Sequence, residues 1–152
     1  VVVDSRLDMP LNAKLLDTQG TGDQARQIWV YTAVDPDNAV QAEKRSALSA
    51  RGVTVIDMPG PGGKVDLAAM LRDLARREIN ELHVEAGHKL NGSFIREGLV
   101  DEYLVYLAPQ LLGPGQGMAN LPALTALGDA VQLGFHAVER IGPDLRLLLR
   151  RA

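Results

Sequence analysis

Short apolar runs separated by polar or glycine-rich stretches recur along the chain, and their spacing predicts alternating strands and helices. The runs at residues 1–3 (VVV), 28–32 (IWVYT) and 53–56 (VTVI) predict three buried strands. Asp37 or Asn38 can cap a helix over residues 39–51, and Gly52 can end it. Between the first two strands, a polar stretch runs from Met9 through Gly20 and Gly22. The first third of the chain therefore predicts a strand, a long connection, and a strand–helix–strand unit.

The pattern continues through the rest of the chain and ends in a hairpin. Asp66 is predicted to cap a helix in which apolar residues follow helical spacing, namely Leu67, Met70, Leu71 and Leu74. The charged residues of that helix, Arg72, Asp73, Arg76 and Arg77, are expected on its solvated face. Strands are predicted at 82–85 and 103–108, with a helix over 90–97 that Gly98 closes and one short helical turn within 122–127. Alternating apolar residues at 131–135 and 145–149 flank a Gly-Pro-Asp turn, which predicts two antiparallel strands.

This order of elements predicts an α/β fold with a mixed, mostly parallel sheet, helices on both faces and a C-terminal antiparallel hairpin. The 152 residues fit one domain with a core of its own. Val1 begins inside an apolar strand-like run, so we expect the chain to be the later part of a domain whose N-terminal strand or strands are missing.

The composition of the chain disfavours several classes of partner and site. The net charge is −3 with acidic and basic residues mixed, which favours neither nucleic acid nor an anionic membrane as partner. No apolar run reaches 18 residues, so no spanning helix is expected. There is no cysteine, which excludes disulfides and thiolate metal sites and is consistent with a cytoplasmic protein.

The turn at residues 87–93 is the strongest candidate for a binding site. It follows a predicted strand and opens a predicted helix, an arrangement whose free N–H groups and helix dipole attract phosphate. Gly87 and Gly92 would let the backbone approach a diphosphate closely, and Ser93 would add a hydroxyl donor. The same glycines could instead serve only tight packing between strand and helix, and spacing alone leaves both interpretations open.

Polar residues at three predicted strand ends are further candidates. Glu85 ends a predicted buried strand, where a carboxylate needs a donor-rich ligand or a basic neighbour such as Lys89. Ser5 and Arg6 follow the first strand and Thr32 ends the second, and a hydroxyl with a guanidinium suits a terminal phosphate.

Other groups carry weaker signals. The three histidines, His83, His88 and His136, have no spacing typical of a metal site, and no metal is expected. Asp101 and Glu102 are adjacent in sequence, so on a strand they point to opposite faces and do not form a catalytic pair. The Pro/Gly loop at 58–64 (MPGPGGK) lacks the Walker spacing and is expected to be a surface turn.

The stretch VEAGHKLNGSFIREGLVDEYLVYLAPQLLG resembles the C-terminal reductase domain of the bifunctional riboflavin-biosynthesis deaminase/reductase. The opening VVVDSRLDMPLNAKLL, the IWVYT strand and the passage DLAAMLRDLARREINELHVEAG are also similar to that family. The resemblance covers nearly the whole chain, and is weakest at 58–64 and beyond Ala119.

The resemblance implies a dihydrofolate-reductase-like fold and NADPH as the hydride donor. It implies reduction of 5-amino-6-(5-phosphoribosylamino)uracil to the ribitylamino form, with substrate on Glu85 and no acid/base catalyst among these residues. It places Ser5 and Arg6 near the adenosine 2′-phosphate and Thr32 at a neighbouring adenine-side position. It places the cofactor diphosphate on Gly87, His88, Lys89, Leu90, Asn91, Gly92 and Ser93.

The chain departs from the family pattern in two ways. Without cysteine it has no zinc deaminase half, and the N-terminal part of the reductase domain is expected to be missing, so the fragment alone is expected to be inactive. Two alternatives stay open: a reductase of another pteridine or pyrimidine, and a non-catalytic module that dimerises through its terminal hairpin. A homodimer is expected in either case, because the last strand offers an edge for pairing.

Overall fold

The computed structural model describes residues 1–18 and 27–152, so the predicted polar stretch at Gly20 and Gly22 lies outside the described residues. Contacts divide the chain into two compact units, Val1–Glu81 and Leu82–Ala152, which are called the first and second unit below. Each unit is built around a three-stranded sheet of its own.

The sheet of the first unit is parallel, with its strands in sequence order. Its strands are β1 (Val2–Val3), β2 (Ile28–Thr32) and β3 (Val53–Asp57), and its helices are α1 (Ala39–Ala50) and α2 (Leu67–Arg76). All five elements confirm the sequence predictions. Asn38 caps α1 through a bond from the Val40 amide, and Asp66 caps α2 through a bond from the Ala69 amide. A 3₁₀ helix, Lys14–Thr18, lies on the connection from β1 to β2.

The two helices of the first unit cover opposite faces of its sheet. Val30 of β2 is fully buried in a core cluster that includes Leu48 of α1. The next residue, Tyr31, points to the other face, where its hydroxyl donates to Asp73 of α2 at 2.7 Å. Helices on both faces explain why β2 carries a nearly continuous apolar run rather than an alternating one.

The second unit starts with an irregular segment, then a helix and an antiparallel sheet. Its elements are α3 (His88–Arg96), β4 (Glu102–Leu107), β5 (Leu133–Ile141) and β6 (Asp144–Arg151), with a 3₁₀ helix at Leu127–Asp129. The strand order is β4-β6-β5, so β6 pairs with both neighbours. The hairpin and the strand after α3 confirm the predictions, whereas the short turn expected within 122–127 is displaced to Leu127–Asp129.

The strand predicted at 82–85 is wrong. Within the described residues, nothing pairs with this segment, and strand formation requires a partner for its N–H and C=O groups. The chain leaves α2 through Glu78 at a φ of 66°, and Ile79 donates its amide back to Leu74. Val84 is 41% exposed, so the apolar run does not mark a buried strand here.

The two faces of the antiparallel sheet differ in chemistry. On one face, Glu102 pairs with Arg150 and Glu139 pairs with Arg146. The registers of the three strands place only apolar side chains at the centre of the opposite face: Tyr103, Val105, Leu147, Leu149, Phe135 and Val138. Phe135 and Val138 remain 68% and 56% exposed, so this apolar face is incompletely covered.

The architecture confirms the predicted α/β class with a terminal antiparallel hairpin. The expected single mixed sheet is instead two three-stranded sheets, because the segment that would have continued the parallel sheet is unpaired. In the described ranges, no helix combines the length and the apolar character required to cross a bilayer.

Candidate functional site

The N-terminus of α3 presents backbone N–H groups that no side chain caps. Gly87 is the N-cap residue, with φ −72° and ψ 163°, and no side chain caps the helix. A Cβ added at Gly87 would have no neighbour within 4 Å, so the space in front of the helix is open. The amide of Asn91 bonds to the Gly87 carbonyl at 3.1 Å, which leaves the amides of residues 88–90 facing outward. This end of the helix fits an anion.

Gly92 packs closely against another segment of the chain. It is buried inside α3, and a Cβ at this position would collide with the carbonyl oxygen of Asn120. The missing side chain therefore allows residues 116–120, called the strap below, to pack against the helix. The packing alternative therefore accounts for this glycine, and its part in a diphosphate site stays a prediction.

The strap is fixed to α3 by several hydrogen bonds. Asn120 donates its amide to the His88 carbonyl at 2.8 Å, and Asn91 donates its side-chain amide to the Met118 carbonyl at 3.1 Å. Arg96 donates to the carbonyl of Asn120. These bonds hold the first two turns of α3 against the strap, so Asn91 contributes to the position of the helix through its side chain.

The other helix residues of the candidate set have distinct environments. The Ser93 hydroxyl donates to the Lys89 carbonyl at 3.3 Å and accepts from Arg96 at 3.0 Å, so its proton is directed into the helix. The His88 ring lies 3.4 Å from the side-chain nitrogen of Gln116, while Leu90 is half-buried. No sequence pattern indicated the hydrogen bonds that Ser93 makes within the helix.

Glu85 is not a buried carboxylate. Its side chain is 85% exposed, and one carboxylate oxygen lies 3.4 Å from His83 Nε2. The expectation that burial would force Glu85 to find a ligand or Lys89 is wrong, because the strand that would have buried it is not formed. Glu85 lies two residues before the N-cap residue Gly87.

At the carboxyl end of β1, Ser5 and Arg6 form the centre of a tight turn. The turn is closed by the Leu7 amide, which donates to the Asp4 carbonyl at 3.0 Å. The Ser5 hydroxyl accepts from the amide of Val65 at 3.2 Å. Arg6 is exposed and pairs with Asp8 at 2.7 Å. The turn thus presents a fixed hydroxyl and an exposed guanidinium.

Thr32 serves the fold at the end of β2. It is fully buried, its hydroxyl lies 3.5 Å from the Ser5 carbonyl, and that hydroxyl accepts from the Val34 amide at 3.3 Å. The hydroxyl therefore joins the two strand ends that carry the candidate residues. Contact between Thr32 and a ligand would be through its neighbours rather than through its own side chain.

Two charged groups that the sequence did not single out support this edge of the sheet. Arg45 of α1 donates to the Val34 carbonyl at 3.1 Å and forms an ion pair with Asp57 at the end of β3. Its Nε is buried and has no hydrogen-bond partner among the described residues. A helical arginine has no distinctive sequence pattern, so only the structure associates it with the strand ends.

A second charged cluster lies on the other face of β2. Asp73 accepts from Tyr31, from Arg77 at 2.7 Å and from Arg76 at 3.2 Å, and Arg77 also stacks over Trp29 at 5.1 Å. Burial, followed by the bond to Asp73, raises the pKa of Tyr31 to about 12, while the bonds from Tyr31 and Arg77 lower the pKa of Asp73. The prediction that Asp73 lies on a solvated helix face is therefore wrong.

The structure groups the candidate residues by unit. Ser5, Arg6 and Thr32 meet at the carboxyl edge of the parallel sheet in the first unit. Glu85 and the helix residues 87–93 are adjacent in the second unit. The loop at 58–64 is an exposed turn as predicted, closed by the Gly60 amide bonding to the Lys64 carbonyl at 2.7 Å.

Comparison with known proteins agrees with the fold. The model of a family described as the RibD C-terminal domain matches residues 1–147. Over 98 residues the chain is 41% identical to riboflavin biosynthesis protein RibD of Escherichia coli, covering 64% of this chain and 27% of that protein. Over 150 residues it is 34% identical to 2,5-diamino-6-ribosylamino-4(3H)-pyrimidinone 5′-phosphate reductase of Archaeoglobus fulgidus, covering 99% and 61%.

A solved structure shows the same architecture. Acinetobacter baumannii RibD superimposes with a TM-score of 0.77 and 25% identity, over 98% of this chain and 36% of that one. This similarity confirms the predicted dihydrofolate-reductase-like α/β class. The matched residues span about a quarter of the length of the Escherichia coli protein. The family match over residues 1–147 shows that this chain belongs to the RibD C-terminal domain family.

Proposed function

We propose that this chain belongs to a reductase that uses NADPH in riboflavin biosynthesis. The proposed reaction converts 5-amino-6-(5-phosphoribosylamino)uracil to its ribitylamino form. Membership of the RibD C-terminal domain family over residues 1–147 is the observation that carries this proposal. The Archaeoglobus fulgidus relative is named as a reductase of a closely similar phosphorylated pyrimidine, which supports the reaction class.

The α3 terminus is the proposed site of the cofactor diphosphate. Three features support this placement: the amides of residues 88–90 face outward, the space at Gly87 is open, and no side chain caps the helix. Of the seven residues in the proposed site, Gly87 to Leu90 would contact the anion, while Asn91 and Gly92 would position the helix against the strap. Ser93 would contribute only after its hydroxyl rotates away from Lys89.

The carboxyl edge of the first unit is the proposed adenosine side. Ser5 and Arg6 would contact the 2′-phosphate, because a hydroxyl and an exposed guanidinium suit that group. Thr32 would hold the Ser5 turn in place through its buried hydroxyl. A ligand phosphate would have to compete with Asp8 for Arg6, and an exposed pair of that kind is weak.

Glu85 is the proposed substrate contact. Its exposed carboxylate could accept hydrogen bonds from hydroxyl or amino groups of the small-molecule substrate. A bound nicotinamide cofactor would supply the hydride for reduction at C1′ of the substrate. The residues of this chain would bind and orient the two molecules and exclude water between them, and no acid/base role is assigned to any of them.

Titration calorimetry with NADPH tests the proposal, using a pair of variants at Gly87. In Gly87→Asp the new carboxylate can cap α3 and also occupies the place of the anion, so we expect an unchanged or higher melting temperature with at least tenfold weaker NADPH binding. Gly87→Asn caps the helix without a charge and is the matched control, with a much smaller loss.

These variants avoid a complication at Gly92. A Gly92→Asp substitution would collide with the backbone of Asn120, so weaker binding could result from a displaced strap. Equal losses in Gly87→Asp and Gly87→Asn would contradict an anion site at this helix. Absence of NADPH binding to the wild-type chain would contradict the cofactor assignment.

The substrate within the pyrimidine class is tested by competition. The uracil substrate and the 2,5-diaminopyrimidinone named for the Archaeoglobus fulgidus relative differ at position 2 of the ring. We expect the uracil compound to bind more tightly in the presence of NADPH, and Glu85→Gln to weaken its binding. A preference for the diaminopyrimidinone would transfer the proposal to that substrate.

The exposed apolar face of the antiparallel sheet favours a second candidate, a module that pairs with another copy of the chain. Phe135 and Val138 are both more than half exposed, which is costly for a monomer. We expect a homodimer by light scattering and a monomer for Phe135→Ser. A dimer that binds no nicotinamide nucleotide would favour this non-catalytic function over the reductase.

A further inference from the structure

We propose that Lys64 is a specificity-determining residue for the adenosine 2′-phosphate and acts beside Ser5 and Arg6. This inference rests on the proposed use of NADPH and extends it to a loop that the sequence indicated to be an ordinary surface turn. Three features of the loop support it: its path, the bond that fixes it to Ser5 and the charge around it.

The loop between β3 and α2 crosses the end of the sheet to reach β1. It leaves β3 with the Met58 amide bonded to the Thr32 carbonyl at 2.8 Å. Gly62 and Gly63, with φ of 67° and 66°, reverse the chain in a left-handed conformation that other residues rarely adopt. After this reversal, the Val65 amide donates to the Ser5 hydroxyl at 3.2 Å.

Covalent geometry places Lys64 beside the proposed phosphate site. The Val65 amide nitrogen is 3.2 Å from the Ser5 hydroxyl, and the Cα of the preceding residue lies roughly 2.4 Å from that nitrogen. The Lys64 Cα is therefore within about 6 Å of the Ser5 hydroxyl. Val65 is buried while Lys64 is exposed, so the lysine side chain is on the solvent side of the loop.

The bond to Val65 also prepares Ser5 as a donor. A hydroxyl has one proton and two acceptor positions, and the Val65 amide uses one of the acceptor positions. The proton of Ser5 is left for another acceptor, and a phosphate oxygen is suited to it. The loop would thus orient the hydroxyl and add a cation in the same structural unit.

The charge balance around the turn favours a role for Lys64. Arg6 is paired with Asp8, and Asp66 is engaged in capping α2. Among the described carboxylates, none lies within ion-pair distance of the Lys64 ammonium group. Lys64 is therefore an available positive charge near Ser5, and a dianionic phosphate is the ligand group that such a charge discriminates.

The test compares adenosine 2′,5′-bisphosphate with AMP in titration calorimetry of this chain. We expect Lys64→Gln to weaken bisphosphate binding roughly three- to tenfold and to leave AMP binding unchanged, while Lys64→Arg retains the preference. Lys14→Gln removes the same charge from an exposed 3₁₀ position and serves as the control, with no change for either nucleotide.

The outcomes separate this inference from the proposed function. Equal effects of Lys64→Gln and Lys14→Gln, or equal losses for the two nucleotides, would overturn the role of Lys64 while the cofactor site stands. A wild-type chain that binds NADPH without preference over NADH would also overturn it. A wild-type chain that binds neither nucleotide would overturn the proposed function, and this inference with it.

Discussion

The two compact units bury their apolar residues to different extents. Of the thirteen buried hydrophobic residues in the described part of the chain, twelve lie in the first unit and one, Phe94, in the second. The parallel sheet is covered by a helix on each face, whereas the antiparallel sheet retains apolar side chains that are more than half exposed. The contrast follows from the sheet type, since a parallel sheet requires its faces to be covered.

The difference teaches where each unit obtains its stability. In the first unit, the residues that pack around β2 and the partners of Asp73 all belong to that unit. In the second unit, the position of α3 depends on its contact with the strap, and this contact requires a glycine at position 92. The predictions below test this contrast.

The largest expected effect is the loss of core packing in the first unit. Leu48 is fully buried, so Leu48→Ala should lower the free energy of unfolding by about 2–5 kcal/mol. Leu147→Ala, at a half-buried position of β6, is the matched substitution in the second unit and should cost less than half as much. Urea denaturation followed by Trp29, the single tryptophan and a residue of β2, reports on the first unit. Far-UV circular dichroism, which detects the helices and strands of both units, measures the cost of Leu147→Ala. Similar costs for the two variants would contradict the contrast.

The next effect concerns the strap. Gly92→Ala places a Cβ against the backbone of Asn120, so we expect a destabilisation of about 1–3 kcal/mol and faster hydrogen exchange of the Asn120 amide. Gly87→Ala, which has open space around the added Cβ, is the control and should leave that exchange rate unchanged. Unchanged exchange in Gly92→Ala would mean that the strap does not depend on this glycine.

A smaller effect is expected from the buried hydrogen bond between β2 and α2. Tyr31→Phe removes the donor to Asp73 while Arg77 and Arg76 continue to bond the carboxylate, so the cost should be about 1 kcal/mol. Tyr106→Phe changes an exposed tyrosine of the second unit and should cost close to nothing. A cost at Tyr106 equal to that at Tyr31 would remove the distinction between the two tyrosines.

The smallest expected effect is a change with pH in the stability difference between the wild type and Tyr31→Phe. The pKa of Tyr31 is raised from 10.0 to about 12 by burial and by the bond to Asp73. Below pH 10 the tyrosine is protonated in both states, and its contribution to stability is complete. Between pH 10 and pH 12 the unfolded chain loses this proton first, so the stability advantage of the wild type over Tyr31→Phe should decrease. Urea midpoints across this range measure it, and a constant difference would contradict the assignment.

Much of the first unit could be predicted from local sequence signals. Asn38 and Asp66 are helix caps in the structure as in the prediction, and the apolar runs at β2 and β3 form strands. Caps and periodicity are local properties, because each concerns residues within one or two turns of the chain. For the same reason, the alternation in the terminal hairpin was enough to predict its two strands.

The errors concern features that depend on distant partners. The segment at 82–85 has a strand-like sequence but no pairing strand in the described residues, and consequently Glu85 is exposed. Asp73 has the sequence context of a surface residue, yet it accepts a bond from Tyr31, which is 42 positions away. Neither a pairing strand nor a distant donor leaves a trace in local periodicity.

The sequence by itself determined the α/β class, the caps of two helices and the terminal hairpin, and it predicts the candidate site on residues 87–93. The tertiary structure decided that Gly92 packs against Asn120, that Thr32 is buried and that the loop carrying Lys64 is fixed to Ser5. The physical reason is the separation along the chain between the residues that interact. Periodicity and capping act between near neighbours, whereas the close approach of two backbones or of a loop and a hydroxyl depends on how distant segments meet after folding.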